Sequence, residues 1–545
     1  MGIQSLLVLA GTTAVASYLK QSGASYAAIL LWLLGSLAAQ LALYLAFSSL
    51  VYRWLLSPTK GLPHPKDTPF ILGNLIPFLS EPWGIPLVRW QRTVPATASG
   101  FYRVFLGPFD YLIPKSSQAV NTIMAQPYLF HKPAAVRDGL VESLGVGLVA
   151  AEGSVHKVPN VGYGQRQKKL LTPIFGMSRN RRLVPQMWTK ALTLADKIQE
   201  LVTESSSTSV VLNMHPLTMA ATLDVIGVTT LGVDFDSVTR PEQPILQAYQ
   251  RVFPSFENQS AVEKFFGATL PAIVSPHLLF KLPFKPIREF HQGMAFLQKF
   301  CLTQIRRKRR EIEEDQYDSA ELREKDILSA IIAAGLRDET EILSHLLTIL
   351  AAGHESTAIT LAWAILKLAQ HQDVQGKLRA EVFAATKSAK PEGLALEDIN
   401  SMKYLRCFLM EVLRLYPAFP AMMREAGHDT EVGDLLISKG KQIMVSPYAV
   451  NRSRELWGDD ADEFKVERWE DSYSGGAKSS QAFLTFSSGP RICIGKDFAT
   501  LSLKVFLTVL VSRFRFEEAI PGWHPVIQKG TSLKPQGLKV KVSLL

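Results

Sequence analysis

Three short stretches of the chain carry residue types that can do chemistry. The first is FSSGPRICIG, residues 486–495, which holds Cys493, one of three cysteines among 545 residues. Arg491 stands two residues before the thiol, and Gly489 and Gly495 flank it. A thiolate is a strong metal ligand and nucleophile, and it stays ionised only beside positive charge or amide donors. The second is AGHEST, residues 352–357, where Glu355, Ser356 and Thr357 follow Gly353 inside an apolar run. A carboxylate is costly amid apolar turns unless paired or near water, and a glycine costs about 1 kcal/mol in a helix interior. Either the stretch is a kink with an incidental acid, or it is a groove where a small ligand sits beside a proton source. The third is EVLR, with Glu411 and Arg414 three residues apart on one helical face. Alone, such a pair is ordinary on a solvated helix.

The elements that must position these groups are mostly helical. Residues 180–205, 340–371 and 495–514 repeat apolar residues at helical spacing. Asp338, Glu339 and Glu341 suit the N-terminus of the second helix. That helix is apolar nearly all round, so it is expected to cross the core. Short β patterns occur at residues 100–114 and 435–448, and the C-terminal LKVKVSLL alternates as a half-buried strand does. The expected fold is mainly α with small β-sheets.

Hydrophobic residues make up 47% of the chain, enough for a large core. The net charge of +10 admits nucleic acid, anionic lipid or an acidic protein as partner. The basic run Arg306 to Arg310 continues a helical pattern and is followed by EIEED. It is expected to be a solvated helix face, with no nucleic acid bound. Cys301, Cys407 and Cys493 are far apart with no CxxC pair, which argues against a disulfide framework or a cysteine zinc site. Cys301 and Cys407 read as small buried hydrophobes.

Residues 24–52 carry no charge and are long enough to cross a bilayer. Residues 3–19 form a second, marginal candidate. Together residues 1–52 are expected to be a membrane anchor in contact with lipid. Arg53, Lys60 and Lys66 follow, which places the rest in the cytoplasm by the positive-inside rule. Prolines 58, 63, 65 and 69 predict a stiff, extended hinge over residues 53–74. One large domain, residues 75–545, completes the chain.

Taken together, the pieces resemble the cytochrome P450 family. FSSGPRICIG matches every fixed position of its haem-binding loop, F-x-x-G-x-R-x-C-x-G. AGHEST resembles its oxygen-activation motif and EVLR its E-x-x-R. FKVERW, residues 464–469, resembles its P-E-R-F segment with Val466 in place of proline. The order and spacing fit across roughly residues 60–545. The resemblance implies the cytochrome P450 fold, preceded by an N-terminal transmembrane helix, and haem b as cofactor.

It also implies roles for residues. Cys493 would be the axial thiolate, a ligand that favours O–O cleavage. Gly489 and Gly495 would let the loop turn tightly and approach the macrocycle, and Phe486 would shield the sulfur. Arg491, Arg424 and Lys168 would meet the haem propionates. Glu355 and Ser356 would be the acid–alcohol pair that delivers protons, with Thr357 as the next candidate. Glu411, Arg414 and Arg468 would form a buried structural cluster. One departure stands out: VPNVGYGQ, residues 158–165, looks like an eight-residue insertion. It displaces His156 from the family's pattern and bears on Lys168.

The segments that line the family's pocket fall here at residues 136–148, 346–352 and 417–423, all largely apolar. They imply a hydrophobic small-molecule substrate. Residues 270–287 are either a bilayer-dipping segment or an ordinary buried loop. No flavin or nicotinamide fingerprint occurs in the right context. The resemblance therefore implies NADPH-cytochrome P450 reductase as electron donor and leaves cytochrome b5 open as a second one. It further implies the endoplasmic reticulum membrane and a step in fungal secondary metabolism. A haem-thiolate isomerase or peroxygenase, and a non-catalytic membrane haem protein, are the alternatives.

Overall fold

Helical periodicity becomes helix where the sequence places it. The computed structural model describes residues 18, 20–23, 25–66, 69, 73–95, 97–107, 109–152, 163–205, 207–253, 276–314, 325–386, 393–523, 526–528 and 532–545. The helices that matter for the site are α1 (Tyr26–Ala46), α2 (Tyr163–Ile174), α3 (Met177–Glu204), α4 (Met214–Ile226), α5 (Glu339–Gln370), α6 (Lys403–Leu415) and α7 (Lys496–Arg513). Asp338 caps α5 by accepting from the Thr340 amide at 2.9 Å, with Glu339 and Glu341 in the first turn. Both acids favour the helix dipole. Most of α5 is buried, with α4 laid along it and α7 packed on α3. Gly353 faces α4, since a Cβ there would sit 2.5 Å from Ile226 Cδ1. The glycine of AGHEST thus serves helix packing, and α5 runs through it unbroken.

Among the described residues the strands build two two-stranded ribbons and two larger sheets beside this helical body. One has the order 101–106, 109–114, 442–445, 422–426, 130–131, with only the second and third strands parallel. In the other, the C-terminal strand Lys539–Leu544 lies between Ser209–Asn213 and Phe514–Glu518. Val540 and Val542 point inward, as the alternation requires.

Among the described residues, two helices are long and apolar enough to cross a membrane. One is α5, which the core encloses, and the other is Tyr26–Leu56, where α1 continues into wider π-type turns. Residues 3–17 lie outside the described residues, and so do Leu270 to Ser275 of the proposed bilayer-dipping segment. The start of the proline-rich collar is seated on the domain and is no free spacer. Arg53 is 1% exposed and donates to the Gly107 carbonyl. Arg103 donates back to the carbonyls of Arg53 (3.1 Å) and Lys60 (2.8 Å). Ser57 and Thr59 donate to Asp110, which also pairs with Lys441 at 2.7 Å.

The basic run also differs from a plain solvated face. Lys308 turns inward to Asp326 at 2.6 Å, and Arg306 and Arg309 reach Glu339 at the start of α5. Three of its charges are used for holding helices together.

Candidate active site

The loop before α7 is shaped by backbone demands. Gly489 has φ +65°, and a Cβ there would sit 2.5 Å from the Met124 carbonyl, so only glycine fits. Gly495 is different. Its φ is −85° as the cap of α7, and a Cβ would meet Cys493 Sγ at an ordinary 3.9 Å. The conformational argument therefore holds for Gly489 alone. The Cys493 amide donates to the Phe486 carbonyl at 2.9 Å, which closes the loop. Burial pushes the Cys493 thiol up, opposed by the Gly495 amide and Lys496, while Asp497 adds to the rise. Binding to a cation would remove that proton outright. Cys301 and Cys407 are buried.

Beside the loop is a cluster of cations. Arg491 donates to the Ala151 carbonyl (2.7 Å) and to Glu152 (2.9 Å). Lys132 pairs with Glu152 at 2.6 Å. Lys168, near the middle of α2, donates to the Pro490 carbonyl at 2.6 Å. Arg424 lies on its strand within the field of Arg491 and Glu152, and it donates to the Met423 carbonyl. Burial, then Arg491, lowers Lys132 to about 8 despite Glu152. Arg491, Lys132 and Arg424 thus share the Glu152 carboxylate, with Lys168 close to Arg491, and among the described residues Arg491 Nε is buried without a partner. That surplus fits a group bearing two carboxylates, such as a haem with its propionates. Arg491, Arg424, Lys168 and Lys132 could hold that edge, and Cys493 could hold the iron. His156 and Val158 to Gly162 lie outside the described residues, and Tyr163 to Gln165 begin α2.

AGHEST lies mid-way along α5, where Ala352 is exposed on a mostly buried helix. Ser356 Oγ donates to the Ala352 carbonyl at 2.8 Å and Thr357 Oγ1 to Gly353 at 2.9 Å. Glu355 is not free. It pairs with Lys534 at 2.7 Å and accepts from Ser532 at 3.2 Å. Burial pushes its carboxyl up, but Lys534, His354 and Ser532 together outweigh that and hold it below the usual range. His215, at the start of α4, is lowered to about 4 by burial and then Lys534.

A pH dependence follows. An unfolded histidine binds its proton near pH 6.5, whereas folded His215 binds it only near 4. Between these values the unfolded chain holds more protons, so stability is expected to fall with acid through that window. Thermal melts of the wild type and His215→Gln from pH 7 to 4 check this. The variant's curve is expected to be flatter; parallel curves would refute the assignment.

Glu411, Arg414 and Arg468 come together with one qualification. Glu411 accepts from Arg414 at 2.8 and 2.7 Å, from Trp469 Nε1 at 2.9 Å and from the Lys465 amide at 2.9 Å. Arg468 Nε stops at 3.6 Å, and its guanidinium bonds instead to Asp460 and the Trp457 carbonyl. The tight unit is Glu411, Arg414 and Trp469. Sequence reasoning missed Lys132, Glu152, Ser532, Lys534 and the Trp469 contact. Only the last had a signal, since Trp469 ends the FKVERW segment.

Comparison with known proteins identifies the family. Residues 63–542 match the family described as Cytochrome P450. The chain is 31% identical over 513 residues to cytochrome P450 monooxygenase sphH of Aspergillus fumigatus, covering 92% of this chain and 91% of that protein. It is 28% identical to cytochrome P450 monooxygenase FUM15 of Gibberella moniliformis, with 99% of each chain covered. To cytochrome P450 monooxygenase buaD of Petromyces alliaceus it is 33% identical over 74% of each. With a match across most of its length, the chain belongs to the cytochrome P450 family and is a P450 monooxygenase.

Proposed function

We propose that this monooxygenase is anchored in the endoplasmic reticulum membrane by its N-terminal helix and oxidises a hydrophobic small molecule in fungal secondary metabolism. Electrons come from NADPH through a separate reductase, with cytochrome b5 as a second donor. The observation that carries the reading is the pairing of a single-thiol loop and a cation-rich edge with an acid and a hydroxyl on α5. The fungal relatives support the setting, and the apolar Tyr26–Leu56 helix supports the anchor.

When bound, the haem supplies oxygen activation, which a cysteine thiolate ligand favours. The chain's residues do the rest. Cys493 would hold the iron, and Phe486, whose carbonyl accepts from the Cys493 amide, would shield the sulfur. Arg491, Arg424, Lys168 and Lys132 orient the propionate edge. Ser356 holds a proton at Oγ beside the exposed Ala352, and Glu355 resupplies it. Thr357 donates to the helix backbone and is the second hydroxyl in reach. The Phe419 side chain, 48% exposed after α6, offers apolar surface to a substrate.

The test uses the full chain in microsomes with reductase, NADPH and a panel of apolar substrates. Oxygenated product is expected only with all three components and O₂. Product formed from a peroxide without reductase would favour the peroxygenase reading. Ser356→Ala is expected to keep haem while diverting NADPH electrons to hydrogen peroxide. Full coupling in that variant would move proton delivery to Thr357.

A further inference from the structure

The ion pair between Glu355 and Lys534 joins residues that no motif connects. Lys534 follows a short hairpin loop whose strands are Val526–Ile527 and Pro535–Gln536. Its neighbour Leu533 is fixed from two sides. Trp363 Nε1, about two turns beyond Glu355 on α5, donates to the Leu533 carbonyl at 2.9 Å. The Leu533 amide donates to the Ala418 carbonyl at 2.8 Å. Ala418 directly precedes Phe419. The hairpin therefore touches the helix that carries the acid and the segment that offers apolar surface to a ligand. Side-chain exposures of 12% and 14% leave the pair little water.

We propose that Lys534 is a positioning residue of the proton relay, a lock that holds Glu355 ionised and turned to the hairpin. An ionised carboxylate in contact with an ammonium has no proton to give. Glu355 passes one to Ser356 only after it parts from Lys534 and takes up a proton from water. The ligand that eases the lock is an apolar molecule leaning on Phe419, because movement there passes through Ala418 and Leu533 to Lys534. The charged and titratable groups facing the carboxylate are Lys534, His354 on α5 and His215 on α4. Burial keeps both histidines below their ordinary range, so Lys534 is the cation left at neutral pH. This inference rests on the monooxygenase reading but is tested apart from it.

The first measurement needs no turnover. Infrared titration of the haem-loaded protein, with Glu355→Gln as the assigning control, reads the Glu355 carboxyl directly. In the wild type it is expected to titrate below the ordinary glutamate value of about 4.3, and in Lys534→Met above it. Lys534→Arg is expected to restore the low value. The second measurement is the pH profile of peroxide released per NADPH, with reductase and no substrate added. Its midpoint is expected to move upward in Lys534→Met and return in Lys534→Arg. The double variant Glu355→Gln/Lys534→Met buries no unpaired charge, so it stands in for Lys534→Met should that variant fail to fold, and its peroxide profile is expected to lose the Glu355 step. An infrared titration unmoved by Lys534→Met overturns the proposal. So does a moved titration with an unmoved peroxide profile, which makes Lys534 structural only. A wild type lacking the thiolate-type CO spectrum instead overturns the monooxygenase reading.

Discussion

Cys493→Ser is expected to erase the thiolate-type Soret band of the reduced, CO-bound protein and all oxygenation with it. A serine hydroxyl is neither soft nor readily ionised, so it cannot replace a thiolate on iron. Cys301→Ser and Cys407→Ser are expected to keep the band, because both lie buried in the hydrophobic core. The CO difference spectrum of the three variants checks this. Loss of the band in either control, with haem content intact, would mean that the ligand has been misassigned.

Glu411→Ala is expected to fail at an earlier step, by preventing folding. Glu411 and Arg414 are both 0% exposed. Removing the carboxylate leaves Arg414 with only carbonyl partners and strands Trp469 Nε1 and the Lys465 amide. Breaking a buried pair on one side costs about 3–5 kcal/mol, against a typical total stability of about 5–15 kcal/mol. Little haem-loaded protein is expected from expression. Arg468→Ala is the informative contrast. Its main partners, Asp460 and the Trp457 carbonyl, lie off Glu411, so its loss is expected to be smaller. Urea denaturation of the purified variants ranks the two. Equal losses would show that Arg468 is a full member of the cluster.

These contrasts mark what could be read in the chain. The helices were legible because their apolar residues recur at 3.6-residue spacing, and the last strand because Val540 and Val542 alternate with polar neighbours. Cys493, Arg491 and Gly489 were legible because one loop holds them together in sequence. Lys132, Glu152 and Lys534 were not. Each meets its partner through folding alone, from segments with no periodicity or motif of their own. The neighbour of Gly353 was not legible for a related reason: its missing side chain looked like a feature of its own helix, but Ile226 on another helix occupies the space that a Cβ would need.

The burial of Arg53 has a mechanical consequence. A helix joined to a domain by a slack linker transmits no torque, and the domain tumbles above its anchor. Here the last turn of the apolar helix is bolted to the 101–114 hairpin through Arg53, Arg103 and Asp110. With the helix embedded in a bilayer, its tilt sets the tilt of the hairpin. The catalytic body would then lean at a fixed angle, and the membrane-bound electron donor proposed above, diffusing in two dimensions, would meet the same face at each encounter. Glycines inserted between Ser57 and Lys60 would leave the anchor, the fold and the chemistry in place while releasing that orientation.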